Sequence, residues 1–231
     1  MTPPTKSERS AAVHEVLDAL RAMGSERNRA GMSRFGITTD RAFGVSVTAL
    51  RAFARGIGRD QQLAEDLWRT GWHEAQMLAT IIGDHRQVTR ATAEAWVRDL
   101  DSWDVCDGAC NNLFRRTPFA HELVEDWVHR DEEFVRRAGF AMIAVLATHD
   151  KTADDAVFAG WLEHVAAAAD DARNFVKKAV SWALREIGGR SPLLRTEAER
   201  CARALAARTE ASARWIGRDA LREFARKPLP S

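Results

Sequence analysis

Residues 175–184 read FVKKAVSWAL, and two other segments of the chain share this pattern. Residues 134–143 read FVRRAGFAMI and residues 215–224 read WIGRDALREF. Each segment begins with an aromatic residue followed by an aliphatic one, and carries Arg or Lys three places after the aromatic. The segments start about 40 residues apart, which is the period of arrays built from paired helices. The sequence therefore predicts a helical repeat protein.

The rest of the chain also favours helices. Apolar residues recur at helical spacing over residues 10–23 and from residue 45 almost to the C-terminus. No window shows the period-two alternation of a half-buried strand. We predict an all-α fold, a superhelical solenoid of HEAT-like antiparallel helix pairs with a concave basic groove. A single repeat domain would span residues 1–231, with residues 1–10 as a loose lead-in.

Local signals predict where several helices begin and where a loop lies. Asp60 and Thr89 are candidate helix caps, and Thr117-Pro118 and Ser191-Pro192 each place Pro directly after a capping residue. Residues 25–44 are rich in Arg and Gly and predict an irregular surface segment. This segment is either a solvated linker or a basic loop that contacts phosphate.

Composition limits the classes of protein and partner. The formal net charge of +1 over 231 residues indicates no partner by itself, so any nucleic-acid surface requires an uneven charge distribution. Three Cys residues do not form a disulfide framework and favour a reducing cytoplasm. Cys106 and Cys110 lack further ligands at metal-binding spacing, so we expect no metal and no cofactor. No signal peptide and no apolar run of roughly 20 residues is present, so we expect no membrane contact. We predict a cytoplasmic monomer.

The segment DSWDVCD, residues 101–107, is the candidate site. Ser102 or Asp101 can cap a helix on which Trp103 and Asp107 share one face. A second indole, Trp182, lies in a predicted helix dense in Lys and Arg. Two aromatic faces and a carboxylate in basic surroundings suit a cationic group beside a polyanion, such as a damaged nucleotide in DNA.

Each candidate has a plainer interpretation. Judged on the residues alone, Asp107 is a surface carboxylate paired with a neighbour such as Arg115 or Arg116, and Asp104 is a first-turn charge that complements the helix dipole. Core packing is the usual fate of Trp. We assign the remaining indoles to the core, namely Trp68, Trp72, Trp96, Trp127, Trp161 and Trp215.

Basic residues recur at one register of the repeat. Arg137, Lys178 and Arg218 each lie three places after the leading aromatic. If the second helix of every pair faces the concave wall, these residues stack into a stripe that follows a phosphate backbone. The alternative is an ordinary exposed Lys or Arg on each helix.

The sequence resembles the AlkD-like family of alkylpurine DNA glycosylases, which are built of HEAT-like repeats. The likeness runs from about residue 30 to the C-terminus, and the order and spacing of its motifs are more specific than any one of them. The motifs are Ala42-Phe43-Gly44-Val45 with Leu50-Arg51, Leu63-Ala64 with Leu67-Trp68, His73-Glu74-Ala75 with Met77-Leu78-Ala79, Trp103-Asp104-Val105-Cys106-Asp107, Phe134-Val135-Arg136-Arg137-Ala138, and Lys177-Lys178-Ala179-Val180-Ser181-Trp182-Ala183-Leu184-Arg185.

The resemblance implies roles for individual residues. Asp107 matches the catalytic carboxylate, and Trp103 and Trp182 match the aromatic pair that borders the lesion-bearing sugar. Arg137 matches a residue that holds the DNA backbone, and Arg185 lies in the matching basic helix. The predicted DNA contacts are Arg137, Lys177, Lys178, Arg185 and Arg218.

The implied activity is hydrolysis of the N-glycosidic bond of N3- or N7-alkylated purines in double-stranded DNA, without base flipping and without strand cleavage. Two alternatives remain open at this stage. One is a non-catalytic relative that binds junctions or distorted DNA by shape. The other is a HEAT-type scaffold for protein interactions, which the near-neutral net charge would suit.

Overall fold

A computed structural model describes residues 5–227 of the chain. Among these residues there are thirteen α-helices, two short 3-10 turns and no strand, which confirms the all-α prediction. The helices are α1 (Lys6–Met23), α2 (Glu26–Met32), α3 (Val47–Ile57), α4 (Gln61–Trp68), α5 (His73–Ile82), α6 (Arg90–Arg98), α7 (Trp103–Asn112), α8 (Ala120–Trp127), α9 (Glu133–His149), α10 (Asp155–Ala167), α11 (Asn174–Arg190), α12 (Pro192–Ala206) and α13 (Ala211–Arg226). Within the described range, no helix is long and apolar enough to cross a membrane.

The chain forms two compact units that divide between Thr117 and Pro118. The first unit contains α1 to α7 and the second contains α8 to α13. The assignment of residues 1–231 to one continuous domain, and the concave basic groove, stay predictions.

The second unit contains the predicted repeat. Its helices form the consecutive pairs α8–α9, α10–α11 and α12–α13, and α11 packs against both α9 and α13. The three similar sequence segments lie in α9, α11 and α13. Their leading aromatics also meet across repeats, since the rings of Phe134 and Phe175 are 5.4 Å apart. The helical repeat inferred from the sequence is therefore confirmed in this unit.

Arginine side chains connect neighbouring repeats in the second unit. Arg173 donates to the carbonyl oxygen of Asp131 at 2.6 Å, and Arg208 donates to that of Ala166 at 2.9 Å. Arg190 donates to the carbonyl oxygens of Ala147 at 3.1 Å and Ala153 at 2.7 Å. Carbonyl groups at helix ends and in loops lack a partner within a helix, and guanidinium groups supply several donors in a fixed plane. Part of the Arg content therefore stabilises the fold.

The first unit is organised around α5. This helix packs against α1, α3, α4 and α7, and most of its residues are buried, including Leu78 and Ile82. Helix α7 approaches α5 closely at Gly108, where a Cβ atom would lie 2.8 Å from Sδ of Met77. The absence of a side chain at Gly108 therefore permits the close approach of α7 to α5.

Stacked indoles complete this core. The rings of Trp68 and Trp96 lie 4.1 Å apart and nearly parallel, and both residues are buried. Trp127 and Trp161 are buried in the second unit, whereas Trp72 and Trp215 are half-buried. The assignment of six indoles to the core thus describes four of them fully.

Several helix starts agree with the sequence. The side chains of Asp60, Thr89 and Ser191 each accept a hydrogen bond from a backbone N–H in the first turn of the following helix. Pro192 occupies the first position of α12. These caps confirm the local signals, because a short oxygen-bearing side chain satisfies an N–H group that the helix leaves free.

Three local predictions differ from the structure. Helix α1 already begins at Lys6, because Thr5 forms a capping box with Glu8, so the predicted loose lead-in is helical from Lys6 and residues 1–4 lie outside the described range. The segment 25–44 contains helix α2 and a 3-10 turn at Ser33–Phe35. Helix α8 begins at Ala120, not at Pro118, because the hydroxyl of Thr117 donates backwards to the carbonyl of Phe114.

Candidate functional site

Helix α7 begins with an unusual arrangement of polar side chains. Ser102 is the N-cap residue, but its side chain caps no backbone N–H. Its hydroxyl donates instead to Oδ1 of Asp104. Oδ2 of Asp104 lies 2.9 Å from Nε2 of His73, the first residue of α5. Asp104 therefore does more than complement the helix dipole, since it joins the first turn of α7 to the first turn of α5.

His73 and Asp104 form a largely buried ion pair. Their side chains are 11% and 18% exposed. Burial is the largest single influence on both groups and opposes their charged forms, but the hydrogen bond and the opposite charge together outweigh it. The pKa of His73 is raised, with additional effects from Glu74 and Asp101. The pKa of Asp104 is lowered by His73, Ser102 and a backbone N–H.

Glu74 fixes a loop beside the same pair. Its side chain is fully buried. Its carboxylate accepts backbone N–H groups from Phe43 at 2.9 Å, Gly44 at 2.6 Å and Val45 at 3.2 Å. Gly44 has a φ of 80°, and a Cβ atom there would lie 2.2 Å from the carbonyl oxygen of Ser25. Only glycine fits this bend, so Glu74 and Gly44 together define the path of the chain into α3.

Trp103 is held by a residue that is distant in sequence. Its indole N–H donates to the carbonyl oxygen of Phe35 at 3.0 Å. Trp103 and Asp107 are one turn apart in α7, and both are half-buried. The predicted pair of an indole and a carboxylate on one helix is present, and its first member is fixed by the segment that precedes α3.

The second predicted indole lies in the other unit. Trp182 is half-buried in α11, and its N–H donates to Oε1 of Glu186 at 3.2 Å, one turn later in the same helix. Oε2 of Glu186 accepts from the hydroxyl of Thr148 in α9 at 3.1 Å. Because Trp103 and Trp182 belong to different units, their meeting around one sugar stays a prediction.

Arg185 is engaged within its own unit. Its Nη1 lies 2.5 Å from Oδ2 of Asp219 and 3.2 Å from the hydroxyl of Ser181. Burial is the largest influence on Asp219, but Ser181, Arg185 and Arg222 outweigh it and lower the pKa of that carboxyl. The positive charge of Arg185 is therefore balanced by an ionised neighbour.

The basic residues at the shared register have different environments. Arg137 is only 5% exposed, and its Nη1 donates to the carbonyl of Phe175 at 2.7 Å. Lys178 and Arg218 are exposed. Lys177, one place earlier, has its ammonium 4.9 Å from the ring centre of Trp215. The register thus places two of the three basic groups on the surface and one inside.

His73, Glu74 and Phe35 were not among the predicted site residues. His73 lies 31 residues before Asp104, and Phe35 lies 68 residues before Trp103. No local spacing connects such partners. His73 and Glu74 belong to one of the motifs that carry the family resemblance. That motif is the one sequence signal that could have drawn attention to these two residues.

The fold and these side chains define a helical-repeat protein with a carboxylate and an indole on the first turns of α7. A family model for DNA alkylation repair enzymes matches residues 16–224. The chain belongs to this family. No curated protein sequence matches it significantly.

Two solved structures match the chain to different degrees. One is described as a new family of proteins related to the HEAT-like repeat DNA glycosylases, with affinity for branched DNA structures. It is 21% identical, with a TM-score of 0.77, and the match covers 91% of this chain and 94% of that chain. The other is a designed armadillo repeat protein, 18% identical with a TM-score of 0.37, over 77% of this chain and 92% of that chain. The first likeness agrees with the predicted HEAT-like architecture.

Proposed function

We propose that this protein is a monofunctional DNA glycosylase that hydrolyses the N-glycosidic bond of cationic N3- or N7-alkylated purines in duplex DNA. The observation that carries the proposal is the geometry of α7, where Asp107 and Trp103 lie one turn apart and half-buried. Family membership supports it. The proposal includes cleavage without base flipping and without cutting the strand.

Hydrolysis of this bond requires little acid catalysis from the protein. An alkyl group at N3 or N7 makes the purine cationic, so the base departs as a neutral molecule with the electron pair of the C1′–N bond. The sugar is left with oxocarbenium character, the same charge problem as in glycoside hydrolysis. The carboxylate of Asp107 stabilises that charge and orients the water that adds to C1′ and releases a proton.

Aromatic faces assist the same step. An indole face beside the cationic sugar contributes about 0.5–2 kcal/mol through cation–π attraction. We assign this role to Trp103 and Trp182. The hydrogen bond from Trp103 to Phe35 limits the rotation of its ring, which supports Trp103 as a fixed wall.

The DNA contacts are proposed in order of exposure. Lys178 and Arg218 are exposed and best suited to phosphate. Lys177 is half-buried against Trp215, and Arg185 is already paired with the carboxylate of Asp219. Arg137 ranks last, because most of its side chain is inside the protein. The proposed partner is double-stranded DNA that contains alkylated purines, bound by a monomer without a cofactor.

Substitution of Asp107 by Asn tests the proposal. The variant keeps the size of the side chain and removes its charge, so release of 7-methylguanine from methylated duplex DNA should fall at least about 100-fold, within the range for loss of a charge-stabilising group. DNA affinity should change little. The matched control is Asp170→Asn, which removes the same charge from an exposed position and should leave release unchanged. Release by Asp107→Asn at the control rate would reject the assigned role.

A second candidate function is recognition of branched DNA without catalysis. The fold likeness to a protein described as having affinity for branched DNA favours it. Under this alternative the wild-type protein would bind a four-way junction more tightly than linear duplex and would release no base. The same two assays therefore separate the candidates.

A further inference from the structure

Phe35 is exposed to an unusual degree. It is 68% exposed, and the other large apolar side chain exposed to a similar extent in the described chain is Leu193 at 65%. Single exposed apolar residues are common, but the backbone of Phe35 also accepts the indole N–H of Trp103 in the candidate site. This combination makes Phe35 a candidate for binding.

Three features hold the backbone around Phe35 in place. The 3-10 turn Ser33–Phe35 ends at Gly36, whose φ of 74° and N–H bond to Ser33 reverse the chain. Ile37 follows and is buried, with its N–H donating to Met32 at 3.3 Å. The carbonyl of Phe35 accepts the indole N–H of Trp103. The ring thus projects outward while its backbone is tied to the first residue of α7.

The surroundings of the ring are positively charged. Phe35 lines an open recess together with Arg27, Asn28, Met32 and Arg34. Arg29, nearby in sequence, is held by two hydrogen bonds to Glu26. Arg27 and Arg34 are exposed, and among residues 5–227 neither is held by an ion pair. An exposed aromatic face flanked by two available guanidinium groups matches a nucleobase flanked by phosphates.

We propose that Phe35 stacks on the base exposed where duplex DNA is interrupted, with Arg27 and Arg34 on the flanking phosphates. Apolar side chains that enter opened base steps are a known way to hold distorted DNA. The hydrogen bond to Trp103 connects this contact to α7, so the opened step would lie beside the candidate carboxylate. The proposal rests on the proposed function in taking DNA as the partner, and adds which DNA structure is preferred and which side chain reads it.

The test compares two DNA molecules and three variants of the full chain. Fluorescent duplexes with and without a one-nucleotide gap are titrated with wild-type protein, Phe35→Ala, Phe35→Trp and Leu193→Ala. Stacking of one base on an aromatic ring contributes about 5- to 150-fold in affinity. Phe35→Ala should lose this factor on gapped DNA and change little on intact duplex. Phe35→Trp should keep the preference for the gap, and Leu193→Ala, the matched exposed residue of the other unit, should behave as wild type.

Salt dependence tests the two arginines. The slope of log affinity against log salt should fall by roughly 0.9 for each phosphate that a variant no longer binds, so Arg27→Gln and Arg34→Gln should each lower it. The matched control is Arg29→Gln, because Glu26 already holds that guanidinium.

The outcomes separate this proposal from the proposed function. If wild-type protein releases 7-methylguanine while Phe35→Ala retains the full preference for gapped DNA, the stacking proposal is wrong and the glycosylase assignment stands. An equal loss of affinity on both DNAs, or an equal loss in Leu193→Ala, also overturns stacking on an interrupted step. If wild-type protein binds neither DNA, both proposals fall. A preference for the gap that disappears in Phe35→Ala without base release supports stacking and removes the catalytic assignment.

Discussion

Helices α7 and α11 carry the two halves of the predicted site, and they hold their side chains in different ways. In α7, Trp103 donates a hydrogen bond to Phe35, 68 residues earlier in the chain. Asp104 pairs with His73, 31 residues earlier. In α11, Trp182 bonds to Glu186 in its own helix, and Arg185 bonds to Ser181 in that helix and to Asp219 of the next repeat. The geometry of α7 therefore depends on several separate segments, whereas that of α11 follows from the repeat.

The roles proposed for α7 and α11 should therefore be sensitive to changes in different parts of the chain. A substitution in α5, or in the segment that precedes α3, should disturb the chemistry proposed for α7 even though no residue of α7 is changed. A change outside α11 should affect that helix chiefly through its neighbours α9 and α13, since these pack against it.

The largest effect is expected at Glu74. Glu74→Gln keeps the size of the side chain but replaces one acceptor oxygen by a donor amide, which faces backbone N–H groups of Phe43, Gly44 and Val45. Unpaired buried donors should lower the free energy of unfolding by about 3 kcal/mol. Chemical denaturation measures this, with the exposed Glu163→Gln as control. A decrease no larger than that of the control would mean that the loop is held by other contacts.

The His73–Asp104 pair should give the next largest effect, with a definite pH dependence. Because the pKa of His73 is raised above its usual 6.5, its contribution to stability is complete below pH 6.5 and is lost as the pH rises through the raised pKa. Because the pKa of Asp104 is lowered below its usual 3.8, its contribution is complete above pH 3.8 and is lost as the pH falls through the lowered pKa. The pair should therefore stabilise the fold most between those two ordinary values.

Denaturation of wild-type protein and His73→Asn across this pH range tests the pair. The difference in unfolding free energy should be about 2 kcal/mol near pH 5–6, as for a hydrogen bond to a charged group, and should shrink above the raised pKa of His73. Base release should slow because α7 loses its tie to α5, while DNA affinity should be retained. The control is the exposed His14→Asn. A stability difference independent of pH would contradict the ion pair.

The two indoles give a smaller and more direct comparison. Phe at either position keeps an aromatic face but removes the N–H donor. Trp103→Phe should lower the unfolding free energy by about 1 kcal/mol and slow base release, because the bond to Phe35 is lost. Trp182→Phe should cost about 0.5 kcal/mol or less, since Glu186 retains its bond from Thr148. Equal effects of the two substitutions on stability would contradict the distinction between α7 and α11.

The smallest effect concerns phosphate binding by the second unit. Lys178→Gln should lower the slope of log affinity against log salt by roughly 0.9, as expected for one phosphate. Arg185→Gln should lower it less, because Asp219 already balances that charge. A larger change for Arg185 than for Lys178 would show that Arg185 exchanges Asp219 for phosphate when DNA binds.

The fold class was predictable because its signals are local and repeated. The leading aromatics of α9, α11 and α13 recur at one register, and Ser191-Pro192 starts a helix as expected. The helix start predicted at Thr117-Pro118 was wrong, because the Thr117 hydroxyl donates back to the carbonyl of Phe114. A start signal in sequence does not reveal which way a hydroxyl will point.

The candidate site was predictable only in part. Spacing placed Trp103 and Asp107 on one helix, but the pairing of Asp104 with His73 depends on how α5 and α7 pack. The repeat register likewise made Arg137 and Arg218 equivalent, although Arg137 donates to the carbonyl oxygen of Phe175, in the first turn of the second helix of the following repeat. Arg218 lies in α13, the last helix of the described chain, and is exposed. Such differences arise from neighbouring repeats and are absent from the local pattern.

The most direct test of the central claim is base release by the wild-type protein. Duplex DNA with 7-methylguanine is incubated with the full chain, the freed bases are separated by chromatography, and the strands are examined before and after alkali. The account predicts time-dependent release of 7-methylguanine, with strand breaks appearing after alkali alone. Tight binding of the same DNA with no base released would contradict it.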